Sequence, residues 1–334
     1  MKYDAVLLVS FGGPEQPDDV MPFLENVTRG RNIPRERLLE VAEHYYHFSG
    51  RSPINDQNRA LIAALKEELA HHGPDLPVYW GNRNWHPMLP DTIRQMKEDG
   101  VKRAVAFVTS AFSSYSGCRQ YKDNIAQARA AVGDGAPEID KIRVFYQHPG
   151  FLDAVSDYVR QAIGALPEDL RGGAELVFTA HSIPTSMANS CKYEPQLLES
   201  CAAVASMLGR EKWRLVYQSR SGPPSQPWLE PDVLDTIREM HAAGAKALVL
   251  VPIGFVSDHM EILYDLDTEA KDLCDELGIP MTRAACSGTH PKFVAMVRDL
   301  IQERIDGGGI LPDLCHAECC PPPARPAAVS GNRT

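Results

Sequence analysis

KALVLVPIGFVSDHMEILYDLDTEA, residues 246–270, decides how the chain folds. Its apolar run from Ala247 to Ile253 is short and continuous, the pattern of a strand buried on both faces of a parallel sheet. Pro252, Gly254 and Asp258 then turn the chain, and Ile262, Leu263 and Leu266 mark the buried stripe of a helix. Strand, polar turn and amphipathic helix in that order make one βα unit.

Outward from this stretch the same unit recurs. Strands are predicted at 5–10, 77–81, 103–109, 142–146, 175–179, 214–217, 246–252 and 281–284, with helical periodicity at 60–71, 90–99, 151–165, 196–208 and 231–243. The second four strands echo the first four. In each half the first strand enters a Gly or Pro turn (SFGGP after Val9, HSIP after Ala180), and the third enters a polar loop (TSAFSSY, PIGFVSDH). The expected class is α/β: two pseudo-symmetric Rossmann-like domains, each a four-stranded parallel sheet flanked by helices, over residues 1–146 and 147–310. Ligands of such sheets bind beyond the carboxyl ends of the strands, so the strand exits converge on one candidate cleft. Residues 22–58 fit no strand pattern and bring VTRGR and HYYHFSGRSPIN into the first half, an insertion long enough to be functional. Residues 311–334 form a tail that carries cysteines as far as 320, expected to pack on the first domain, and then reads PPPARPAAVSGNRT, a segment without structure of its own.

With 44% hydrophobic and 23% charged residues, a 334-residue chain has ordinary globular proportions and enough length for two cores. A net charge of −10 disfavours nucleic acid and anionic lipid as partners. The opening run Ala5–Val9 is strand-sized, and no apolar run is long enough to span a bilayer, so a cytoplasmic protein with reduced thiols is expected.

Two elements carry candidate chemistry. His181 follows the apolar run 176–180, where imidazole can ligate a metal or take a proton near neutral pH, although a histidine there serves equally as a strand cap. Glu261, Asp265 and Glu269 recur at i, i+4 and i+8, which aligns their carboxylates on one helix face as a relay for protons or cations, or as an ordinary solvated face. A histidine and a carboxylate at exits of the same half offer nitrogen and oxygen ligands suited to Fe²⁺.

The chain resembles the ferrochelatases through SFGGP, VTRGR, FSGRSPIN, GNRNWHP, TSAFSSYSGCRQY, FTAHSIP, YQSRSGPPSQPWLEP and GFVSDHMEILYDLD, in that family's order. The resemblance implies an enzyme that inserts Fe²⁺ into a porphyrin held between two Rossmann-like domains, in haem synthesis. It implies that His181 is the metal-site histidine and proton acceptor, that Glu261 is its partner across the porphyrin face, and that Asp265 and Glu269 form the acidic relay. Phe11 would lie against the face opposite His181, Arg29 and Arg31 would reach propionates, and Tyr45, Ser52 and Tyr121 would complete the clamp. Phe11 stands where some relatives carry a tyrosine, and His44-Tyr45 where many coproporphyrin-type relatives have an Arg-Tyr pair. Coproporphyrin III is nevertheless the favoured substrate, with protoporphyrin IX, another tetrapyrrole chelatase or a noncatalytic haem-binding module as alternatives. Contact with other haem-pathway enzymes is part of the same expectation. Some members pair a cysteine in the loop of Cys118 with a cysteine-rich C-terminus, which implies a [2Fe–2S] cluster on Cys118, Cys315, Cys319 and Cys320. A zinc site or plain thiols remain the other readings of those residues.

Overall fold

The computed structural model describes residues 2–31, 33–222, 225–308 and 319–322, and among these residues eight strands make two sheets with one plan. The first sheet holds β1 (Ala5–Ser10), β2 (Val78–Asn82), β3 (Arg103–Val108) and β4 (Glu138–Lys141) in the order β2-β1-β3-β4. The second holds β5 (Glu175–His181), β6 (Trp213–Gln218), β7 (Leu248–Val251) and β8 (Met281–Arg283) in the order β6-β5-β7-β8. Every pairing within the two sheets is parallel, so the expected repeat of the first half in the second is an identity of topology.

Alternation along the strands divides the core into layers. Val6 and Leu8 of β1 face one cluster and Ala5, Leu7 and Val9 the other; on β7, Val249 and Val251 face away from Leu248 and Leu250. One apolar cluster is continuous between the halves: Phe107 stacks on Phe145 with centroids 5.3 Å apart, and Phe293 meets Phe145 edge-on at 5.8 Å. The helix Pro149–Ala165 packs on β7 and β8, while the helix Pro291–Ile305 lies against it and also against β3 and the helix Ile54–His72. That C-terminal helix therefore straps the two halves together, and Arg304 Nη2 reaches Asp140 Oδ1 on β4 at 3.2 Å.

One expectation is corrected. The fourth strand is Glu138–Lys141, not residues 142–146. It is an edge strand paired with β3, held by Arg103 and Tyr3 on Asp140, and needs no apolar run; Ile142, Val144, Phe145 and Tyr146 are apolar because they fill the core between the halves. The insertion is helical, with Val20–Val27, Arg35–His47 and the first turn of Ile54–His72, packed around buried Val20, Phe23, Leu24, Leu38 and Ala42.

The exit of β7 is held tightly against β5. Gly254 N–H donates to Thr179 O at 3.1 Å, and a Cβ at residue 254 would stand 2.7 Å from Ala180 Cα. Gly254→Ala must push the β7 loop off the end of β5 at a cost of about 1–3 kcal/mol. A lower urea midpoint with an unchanged m-value is the expected reading; a variant as stable as the parent would show that the loop yields freely.

Candidate active site

β5 ends at His181 between β6 and β7, so three neighbouring strand exits meet at one point. His181 Nδ1 is hydrogen-bonded with Ser182 O, and Tyr193 Oη donates to His181 O at 3.1 Å. These contacts turn Nε2 towards Glu261, whose Oε1 lies 3.5 Å away. The second carboxylate oxygen, Oε2, is 3.7 Å from His259 Nε2. One carboxylate thus stands between two imidazoles. Glu261 is therefore beside His181 on the same side of the cleft, not across a bound porphyrin from it, because β5 and β7 are adjacent strands.

The electrostatics follow from that sharing. Burial opposes charging His181, yet the Glu261 carboxylate outweighs it and lifts the imidazole to about 9. Burial likewise opposes ionisation of Glu261, but His181 and His259 together pull it down to about 2. His259 goes the other way: burial, and then the charge on His181, hold it below the usual histidine value despite Glu261. The site rests as an ion pair with a neutral imidazole at its side. In the sequence His259 has the look of a spacer in SDHME; its place as the extended residue just before the helix turns its ring back to Glu261.

The acidic helix starts as expected but changes pitch. It is α-helical over Met260–Tyr264, π-helical over Asp265–Ala270 and α-helical again over Lys271–Leu277. The i, i+4, i+8 spacing therefore does not set one straight carboxylate face. Gln218 Nε2 donates to both Glu261 O at 2.9 Å and Asp265 Oδ2 at 3.2 Å, and Ser219 Oγ donates to the same Oδ2. Burial, with Glu261 and Glu269 adding to it, raises Asp265 to about 7. Glu269 is raised by burial and by Asp232.

The insertion supplies the other wall. Phe11 meets Phe23 edge-on at 6.3 Å, and Phe23 in turn meets Tyr45 at 5.8 Å and Trp85 at 6.2 Å. Burial raises the Tyr45 phenol and the negative charge of Glu261 raises it further. His44 stacks on Tyr264 at 3.7 Å and 7°, closing the two halves at that edge. Arg83, a cation that carries no signal in GNRNWHP, lies 4.5 Å over Tyr121 and 5.6 Å over Phe11, with Nε donating to Asn124 Oδ1 at 2.8 Å. The aromatic cluster of the first half thus meets the Glu261 helix of the second through His44 and Tyr264, with the Arg83 guanidinium over Phe11.

Comparison with known proteins agrees with this architecture. The ferrochelatase family model matches residues 3–305. The chain belongs to the ferrochelatase family. It is 59% identical to the ferrochelatase of Rhodopirellula baltica over 99% of this chain and 97% of that one, and 52% identical to the coproporphyrin III ferrochelatase of Streptomyces coelicolor over 99% and 96%. The sirohydrochlorin chelatase SirB of Bacillus subtilis subspecies spizizenii, solved with cobalt, has the same fold at a TM-score of 0.55 and 10% identity, covering 92% of this chain and 97% of that one.

The remaining residues expected from the ferrochelatase resemblance are placed unevenly. Ser52 is buried against Gly13, its N–H donating to Pro14 O at 2.9 Å, and Tyr121 is buried under Arg83. Arg29 and Arg31 are exposed in the turn after Val20–Val27. Burial pushes the Cys320 thiol to about 12, with Cys118, Cys319 and also Cys191 adding to it. Cys315, like most of the tail expected over 311–334, lies outside the described residues. Among the described residues no group of three or more His, Cys, Asp or Glu side chains stands in metal-holding geometry.

Glu261→Gln removes the charge that does most to hold the His181 proton and leaves burial opposed only by the Ser182 carbonyl and Asp265. The imidazole should then titrate well below about 9. Its ring-proton shifts followed by NMR measure this; titration unchanged near 9 would mean that Glu261 does not set the His181 proton.

Proposed function

We propose that the chain inserts Fe²⁺ into a porphyrin, with coproporphyrin III as the preferred macrocycle, in haem synthesis. The observation that carries this reading is the Glu261 carboxylate between His181 and His259, facing an aromatic wall. Insertion exchanges two pyrrole protons for one metal ion, so the site must take up two protons beside a dication. Fe²⁺ approaching the pair repels the His181 proton towards Asp265, whose raised pKa of about 7 suits it to accept and release protons. His181 and Glu261 then receive the two pyrrole protons, and His259, held neutral by burial, keeps a nitrogen lone pair for the metal. Glu269 leads the relay towards the surface. Binding energy from the wall and rim, where Phe11, Tyr45, Ser52 and Tyr121 hold the macrocycle and Arg29, Arg31 and Arg83 meet its propionates, bends the porphyrin so that nitrogen lone pairs face the metal.

Four propionates on coproporphyrin use such a basic rim better than two, and relatives carry that substrate in their names. The division at 146/147 belongs to this reading, supported by the packing of Pro149–Ala165 on β7 and β8. So do a cytoplasmic location, which suits the seven free cysteines among the described residues, and contact with neighbouring haem-pathway enzymes. Among the described residues no helix is long and apolar enough to cross a membrane.

A [2Fe–2S] cluster on Cys118, Cys315, Cys319 and Cys320 is the finer part of the proposal. Cys118 and Cys319 both add to the charge that raises the Cys320 thiol, and the burial that makes Cys320 costly to ionise is offset when iron takes the thiolate. Such a cluster would tie the tail to the loop after β3. Anaerobically purified protein should be reddish-brown with roughly two irons and two sulfides per chain. Colourless protein, or a cluster unchanged in Cys118→Ser, would refute it.

Anaerobic incubation with Fe²⁺ and metal-free porphyrin tests the main reading. Turnover with coproporphyrin III exceeding that with protoporphyrin IX is expected, whereas stoichiometric binding without turnover would make the protein a carrier. His181→Ala should abolish insertion while porphyrin fluorescence still reports binding, and Glu261→Gln should cripple it. Asp265→Asn and Glu269→Gln should slow insertion less. Three silent carboxylate variants would reduce the acidic helix to a solvated face.

A further inference from the structure

Two glutamines far apart in the chain make the same pair of hydrogen bonds. Gln57 is the fourth residue of Ile54–His72, and Gln196 is the fourth residue of Tyr193–Met207. Gln57 Oε1 accepts from Asp258 N at 2.7 Å and its Nε2 donates to Asp258 Oδ2 at 3.2 Å. Gln196 Oε1 accepts from Ser113 N at 2.7 Å and its Nε2 donates to Ser113 Oγ at 3.0 Å. Asp258 lies in the loop after β7 and Ser113 in the loop after β3. Each half therefore sends a carboxamide from a long helix into the loop that follows the third strand of the other half.

We infer that these glutamines are crossed clasps, and that Gln57 is a positioning residue: it fixes the gap between the Phe11 wall and the His181–Glu261–His259 trio. The inference rests on the metallation reading above and adds to it a residue that touches neither substrate nor metal.

The two ends of the Gln57 clasp are anchored in the two sides of the cleft. On the first-half side, Asn58 Nδ2 donates to Ser10 Oγ at 2.8 Å, and Asn55 Nδ2 donates to Gly13 O at 3.3 Å and His86 O at 3.1 Å. Ser10 and Gly13 bracket Phe11, so the helix turn that carries Gln57 and the wall move as one body. On the second-half side, Asp258 precedes His259 and stands three residues before Glu261. Its other oxygen, Oδ1, accepts from Arg283 Nη1 at 3.1 Å, and Arg283 continues to Asp267 through Nη2 to Oδ2 at 2.8 Å. That chain of bonds holds the loop and the π-helical segment as a second body. Gln57 joins the two by hydrogen bonds.

The two clasps are not equivalent. Gln196 and Ser113 are both buried, and a serine hydroxyl can donate as well as accept. Gln57 and Asp258 are partly exposed, and a carboxylate only accepts, so the bond holds only with the amide nitrogen turned to Asp258. The first is a fixed hinge point and the second is the adjustable side, next to the reacting groups.

Gln57→Glu places a second carboxylate against Asp258, and Gln57→Met removes both hydrogen bonds at similar length. In either variant kcat for iron insertion should fall about 10- to 100-fold while KM for porphyrin stays within about twofold, as expected for misplacement of about 1 Å without loss of binding. Asp258→Asn combined with Gln57→Glu reverses the roles. The new amide at position 258 donates to the new carboxylate at position 57, that carboxylate still accepts from the backbone N–H of residue 258, and the amide oxygen still takes Arg283. The double variant should regain about tenfold or more over Gln57→Glu alone. Hydrogen exchange over residues 254–267 should quicken in Gln57→Met with the melting temperature of the whole protein little changed, a readout that does not depend on turnover. Parent-like kcat in both single variants, no gain in the double variant, or unchanged local exchange would each overturn the inference. A parent protein that binds but never metallates porphyrin would instead overturn the functional reading, and local exchange would still decide whether the clasp holds the loop.

Discussion

A carboxylate shared by two imidazoles is the constraint around which the cleft is organised. Glu261 is ionised although burial alone would keep it neutral, and the flanking rings hold it so. The cost of placing a charge there is met by geometry that begins in the sheet. With β5 between β6 and β7, the strand ends deliver His181, Gln218 and the loop of His259 to the same few ångströms. Another strand order would separate these groups, and the charge would then stand alone in a poorly solvated place.

Topology is duplicated between the halves while chemistry is divided between them. The exit of β1 leads to Phe11 and a cluster of aromatic rings; the equivalent exit of β5 leads to His181. The loop after β3 leads to Cys118 and to Tyr121 beneath Arg83, whereas the loop after β7 leads to the acid–base trio. Four equivalent positions thus separate into a side lined by aromatic rings and a side that carries titratable groups. The strap made by Pro291–Ile305 and the continuous Phe107–Phe145–Phe293 packing keep the two sides in register.

Strands such as Leu248–Val251 are legible in the sequence because a parallel strand buried on both faces must be apolar along its length. β4 is not, because an edge strand reading EIDK draws its stability from ion pairs and a neighbour, and the adjacent apolar run serves the core. His181 and Glu261 are legible as residues at strand exits, and their order in the chain matches a known family. His259 and Arg83 are not, since one looks like a spacer and the other like any surface cation until the rings beside them are in place. Gln57 gives no signal at all: its partner is 201 residues away, and a glutamine on a polar helix face has no periodicity to betray it. The acidic ladder is legible as composition and misleading as geometry, because a change of helical pitch leaves no mark in residue spacing.

That change of pitch makes this turn the place where the helix absorbs a change of one residue in chain length. A π-helical turn holds one residue more than an α-helix needs. Thr268 Oγ1 donates to Leu263 O at 3.0 Å within it, taking up a carbonyl in the widened ladder. Losing a single residue between 265 and 270 would let the helix become regular throughout while everything downstream kept nearly its present facing, because the residue lost is the one the wide turn absorbs. Leu273 and Cys274 would stay in the core beneath β7. What would shift is the placing of Asp265 and Glu269 relative to Glu261, so the wide turn sets where the carboxylates stand while the rest of the helix is indifferent to it.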